Sequence, residues 1–124
     1  MSKSLLLLIP ALLVAGCATR EPQLYRWGAF PTAQYRYLLH DGMPVDEQIT
    51  TLEALSERAA AEHAELPPGF RAHLGMLYMD AGNPARARDL WQAEKATFPE
   101  SAPFIDRLLR GPAEAAAGAQ ERRP

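Results

Sequence analysis

Between Pro68 and Ser101 the chain writes out one helical hairpin with its turn and its stop. Leu74-Gly75 is followed by Tyr78, Ala87 by Trp91, and Pro99 closes the stretch. Small residues at Gly75 and Ala87 let two antiparallel helices approach closely, and Tyr78 and Trp91 fill the space around that contact. Asp80 to Pro84 is the turn. Gly82 takes the left-handed conformation past a helix end, Asn83 caps the next helix, and Pro84 fits its first position. Pro99 cannot continue a helix, so the second one ends there.

These residues, at this spacing, match the tetratricopeptide pattern of Leu-Gly and Tyr, then Ala and a large aromatic, then Pro. The departure is Arg71, which stands where the pattern has its first Trp. The pattern predicts an all-α fold of tetratricopeptide-like hairpins, about five helices in total. The clearest repeat is residues 68–101 of a domain spanning 31–111.

The flanking segments fit that frame. Pro31 to His40 reads as a short helix with Tyr35, Leu38 and Leu39 at helical spacing. Asp41 to Pro44 breaks it, with Gly42 as the residue past the helix end. Val45 to Ala64 reads as a longer helix with an apolar stripe of Ile49, Leu52, Leu55 and Ala59 and acids toward water. These two helices form a degenerate first hairpin. Residues 65–69, with two prolines and a glycine, join it to the second. A last helix from Ala102 to Gly111 is expected to cover the open face, capped by Ser101, with Phe104, Ile105, Leu108 and Leu109 apolar. Residues 112–124 are Ala- and charge-rich without an apolar stripe and read as a disordered tail.

The first residues read as a targeting segment. Lys3 precedes the apolar run Ser4–Val14, too short for a stable transmembrane helix. Val14-Ala15-Gly16-Cys17 then resembles the bacterial lipobox, in which the cysteine is lipidated and becomes the mature N-terminus. On this reading residues 1–16 are a lipoprotein signal peptide and Cys17 is the lipidation site. The alternatives are an ordinary signal peptide with a chance cysteine and a cytosolic protein with an apolar start. Cys17 is the only cysteine of 124 residues, which excludes an intramolecular disulfide and any CxxC site. Ala18, not Asp, follows it, and by resemblance this favours the periplasmic face of the outer membrane. Residues 17–30 form a tether and an aromatic lead-in, LYRWGAF. Tyr25 and Trp27, two apart, share a face if extended. Packing onto the helices is favoured for this segment over an aromatic ligand patch.

The run LYRWG, then PPG, LGMLY, EKATFPES and FIDRLL, resembles a family of small bacterial outer-membrane lipoproteins of unknown function with a tetratricopeptide-like domain. The resemblance covers residues 17–110. It implies a gene often placed beside a lipoprotein similar to the curli secretion channel, and so a part in an outer-membrane lipoprotein assembly. It carries no catalytic residue across.

Little else suggests chemistry. A net charge of −2 gives no basic footprint for nucleic acid. His40, His63 and His73 show no metal-ligand or triad spacing and read as helix residues, so no enzyme, metal or cofactor is expected. Glu94 stands where the pattern has a small residue. Two readings apply: a partly buried pair with a neighbour such as Arg107, which is favoured, or a clamp for a peptide end. The leading function is a lipid-anchored interaction scaffold for other envelope proteins, with Tyr35, Arg71, Leu74, Tyr78 and Asn83 as candidate partner-binding residues. An activator of a cell-wall synthase is the alternative. About three repeats are usually needed for stability, so a partner or a second copy is expected to cover what two hairpins leave open.

Overall fold

The computed structural model describes residues 22–40 and 42–121, with side chains as far as Gly111. Cys17 and the leader 1–16 lie outside the described residues. Among the described residues the chain is all-helical. Its elements are α1 (Phe30–Leu39), α2 (Val45–Ala61), α3 (Phe70–Asp80), α4 (Pro84–Thr97), a 3-10 turn at Pro99–Ser101, and α5 (Ala102–Glu121).

The hairpin of α3 and α4 is the most closely packed pair of elements. A methyl group on Gly75 would lie 2.7 Å from Trp91 Cδ1, so only glycine admits the indole. Trp91 Nε1 donates to the Ala72 carbonyl at 3.0 Å, which fixes the ring against the α3 backbone. The turn follows the sequence closely. Gly82 has φ 79°, Asn83 Oδ1 accepts from Arg86 N at 3.1 Å, and Pro84 opens α4.

Two buried clusters hold the helices together. One joins α1, α2, α3 and α4 through Phe30, Leu52, Leu55, Phe70, Leu74, Leu77 and Leu90. The other joins α3, α4 and α5 through Ala72, Ala87, Trp91 and Ile105. Each fully buried Leu or Phe contributes roughly 1.5–3 kcal/mol through removal of apolar surface from water.

The lead-in packs, as favoured from sequence. Tyr25 meets Phe98 edge-on at 6.2 Å, Trp27 stacks on Phe30, and Phe30 reaches Phe70 at 5.3 Å. Arg26 N donates to the Glu65 carbonyl at 2.7 Å, and its guanidinium pairs with Glu62.

Several boundaries differ from expectation. His40, at φ 52°, takes the left-handed position after α1, two residues before Gly42. Helix α2 stops at Ala61 rather than Ala64 because His63, at φ 53°, closes it. Ala64 N bonds to the Ala59 carbonyl at 2.8 Å and His63 N to that of Ala60 at 3.2 Å, the two bonds of a Schellman closure. Ser101 does not cap α5; its hydroxyl donates back to the Phe98 carbonyl at 2.7 Å within the 3-10 turn. Helix α5 runs past Gly111 and Pro112 to Glu121, where a disordered tail was expected. Pro112 has no N–H for the carbonyl four residues back, but the alanines that follow are the strongest helix formers. Residues 122–124 lie outside the described residues.

Candidate groove between α1, α3 and α5

Helix α3 forms the floor of a groove whose walls are α1 and α5. At one end a cleft of about 420 Å³ is lined by Tyr37, Met76, Met79, Trp91 and Leu108, with Asp80 and Arg107 at its polar margin. A second, of about 150 Å³, shares Tyr37 and Met76 with it and adds Leu38, Ala72, His73 and Phe104. Ala72, Met76, Met79 and Asp80 follow one another at helical spacing on α3, so the floor is a single stripe. Ala72 keeps it deep, and the two flexible thioethers give it an adaptable apolar surface. Phe104 is half-exposed at the wall instead of buried with Ile105.

His73 sits in this floor with only 4% of its surface exposed. Its ring meets Tyr37 edge-on at 5.1 Å and Phe30 at 5.9 Å. Burial lowers its pKa from 6.5, against the opposing pull of the Asp80 carboxylate. Nε2 is buried without a hydrogen-bond partner among the described residues, which fits a neutral imidazole. Tyr37 Oη donates to Asp80 Oδ2 at 3.0 Å, tying α1 to the end of α3. Burial, then this hydrogen bond and the charge of Asp80, raise the Tyr37 pKa above 10.

None of the five candidate partner-binding residues lines the groove. Leu74 is a core residue at 1% exposure and offers nothing to a partner. Asn83 is engaged as the α4 cap. Tyr78 is on a different face, where its hydroxyl donates to Glu53 Oε1 at 2.9 Å and the Arg86 guanidinium stands 5.9 Å over its ring. Arg86 Nη2 reaches the same carboxylate oxygen at 3.4 Å, so this trio joins α2, α3 and α4. Arg71 gives its backbone N–H to Glu94, and its Nη1 is buried without a hydrogen-bond partner among the described residues. Tyr35 is exposed on the outer side of α1.

The expected pairing of Glu94 with Arg107 is not found. Glu94 is buried and accepts from Gly69 N at 2.5 Å and Arg71 N at 3.1 Å. The ion pair to α5 comes from its neighbour instead, Lys95 Nζ to Asp106 Oδ1 at 2.6 Å.

The segment built this way, from the aromatic lead-in to the second turn of α5, is what the family comparison recognises. A family model described as a domain of unknown function, DUF4810, matches residues 24–108. The chain belongs to the DUF4810 family. The match takes in the packed lead-in, both hairpins and the wall residues of the groove up to Leu108. No curated protein and no solved structure matches the chain. Among the described residues of this DUF4810 domain no group of His, Cys, Asp and Glu is placed to hold a metal ion. No described helix is long and apolar enough to cross a membrane.

Proposed function

We propose that this DUF4810 chain is a lipid-anchored, periplasm-facing interaction scaffold. Its α1–α3–α5 groove receives an apolar segment of another outer-membrane protein, as in a secretion or lipoprotein assembly. The observation that carries the reading is the groove itself: an apolar stripe of Ala72, Met76 and Met79 between two helices, with the His73 ring in its floor and Asp80 and Arg107 at its margin. Such a surface suits a helix or strand that buries its apolar side chains between the walls. The Val14–Cys17 motif supports the anchor, and a tri-acylated cysteine exceeds the two chains that stable anchoring requires.

Two experiments test the reading. A photo-crosslinking residue at Met76 in living cells should yield an adduct with an envelope protein, and one at the exposed Gln92 of α4 should not. Equal yields from both positions, or none from Met76, would refute the groove. Metabolic labelling with palmitate should be lost in Cys17→Ser, and persistent labelling would refute the anchor.

A further inference from the structure

The smaller cleft of the groove contains a polar atom that the fold leaves unused. His73 lines this cleft with 4% of its surface exposed, and its Nε2 is buried without a hydrogen-bond partner among the described residues. A buried polar group left unpaired costs free energy, which a bound hydrogen-bonding group returns.

The neighbours of His73 do not supply that group. Of the side chains lining the cleft Tyr37 alone has a hydroxyl, and it donates to Asp80. The Gly69 amide is taken by Glu94. Gln34 is exposed at the edge of the cleft and makes no bond to Nε2. Nε2 is covered by its surroundings, so a ligand atom reaches it only if a side chain moves. Met76 lines the same cleft and turns about three side-chain bonds, which suits it to that movement.

Shape and lining say what kind of group fits. About 150 Å³ is the volume of an apolar cavity that takes one benzene ring. The apolar walls are Tyr37, Leu38, Met76 and Phe104, and two aromatic rings with a thioether favour a flat ring in edge or offset contact. Burial keeps the imidazole neutral, so the partner is an uncharged group and not a carboxylate. A hydroxyl both donates and accepts, and so satisfies Nε2 in either tautomer. A flat ring with a hydroxyl at its tip is the side chain of tyrosine.

We propose that the cleft beside His73 receives a tyrosine of the segment docked in the groove, its phenol hydroxyl bonded to Nε2. The larger cleft then takes that segment's apolar residues, and His73 sets the preference of the groove among apolar segments. The inference rests on the groove reading above.

The test uses the full-length lipoprotein in detergent, with its histidine rings labelled with nitrogen-15, and two probes. One is p-cresol, the tyrosine side chain alone; the other is p-xylene, with a methyl group in place of the hydroxyl. Relative to His73→Phe, wild type should favour p-cresol over p-xylene by about tenfold, the scale of one hydrogen bond returned to a buried group. Partition of the probes into detergent is common to both proteins and cancels in that ratio. In wild type the His73 ring nitrogens should shift much further with p-cresol than with p-xylene, which a merely structural histidine would not do. This second readout needs no variant, and helical circular dichroism verifies the fold of His73→Phe for the first. An equal ratio in the two proteins, nitrogen signals that respond alike to both probes, or no binding of p-cresol overturns the inference and leaves the groove standing. Binding of p-cresol through His73 with no adduct from Met76 in cells overturns it in favour of a free phenolic molecule, and removes the groove reading as well.

Discussion

Glu94, on α4, caps the N-terminus of α3. Gly69 occupies the N-cap position in a left-handed conformation, φ 87°, and has no side chain to satisfy the first amides of the helix. The Glu94 carboxylate does so from across the hairpin, one oxygen on Gly69 N and the other on Arg71 N. Its negative charge also sits at the positive end of the α3 dipole. Glu94→Gln keeps the volume but turns an NH2 toward one of these amides. It should cost about 2 kcal/mol, the scale of a charge-assisted hydrogen bond lost inside a protein. Glu94→Ala should cost more, since both amides lose their acceptor and a cavity opens. Thermal unfolding measures both. If Glu94→Gln unfolds at the wild-type temperature, the cap is not a stabilising element.

Gly75 and Trp91 form a second such dependence. A Cβ at 75 meets the five-membered ring of the indole, so Gly75→Ala forces Trp91 away from the Ala72 carbonyl. The expected loss is about 1–3 kcal/mol, the range for overpacking. Trp91→Phe removes the N–H and that ring edge together. In the double variant the alanine should therefore cost less than it does alone, a coupling read from a four-member unfolding cycle. Strict additivity would show that the close approach does not limit this site.

The comparison of sequence with structure divides along the same lines. The α3–α4 hairpin was legible because its signature residues act on one another at short range: Gly82, Asn83 and Pro84 build the turn, and Gly75 admits Trp91. The groove was not legible, because most of those signature positions point into the core, and among them Trp91 alone also lines the groove. Leu74 and Gly75 are inside for that reason, and the groove floor falls to Ala72, Met76 and Met79 on either side of them. Glu94 was noticed as an anomaly in its repeat position. Its partners are backbone amides brought together only by the joint at 67–69, and residue types do not reveal backbone acceptors and donors. The helical continuation of α5 was hidden by Gly111-Pro112, a pair that usually ends a helix; the alanines beyond it carry the opposite preference.

Helix α2 closes in the same way as α3, but with a different residue at the left-handed position. Gly82 takes it after α3 and His63 after α2. A left-handed residue other than glycine costs roughly 1–2 kcal/mol, and glycine's extra chain entropy returns part of that. His63→Gly should thus stabilise the domain by about 0.5–1 kcal/mol, and His63→Val should destabilise it. Urea midpoints at constant slope would report both. A stabilised His63→Val variant would contradict the Schellman reading of this turn.

His73 makes the stability of the fold depend on pH in a defined direction. Burial against Phe30 and Tyr37 places its pKa in the folded protein below the 6.5 of the exposed group. In the unfolded chain the imidazole binds its proton more tightly. Stability is therefore complete above about pH 6.5 and falls as the pH drops below it, levelling off under the lowered folded pKa. The facing groups modulate this. Asp80 favours the imidazolium and limits the fall, and Tyr37 stays neutral throughout this range because its own pKa is raised. Replacing His73 with Phe keeps a flat ring among the same neighbours and removes the titration. The wild type should lose stability between pH 7 and pH 5 relative to His73→Phe, as read from urea midpoints at each pH. If the two proteins change in parallel over that interval, His73 titrates alike in both states and the buried, neutral imidazole is not what the groove floor contains.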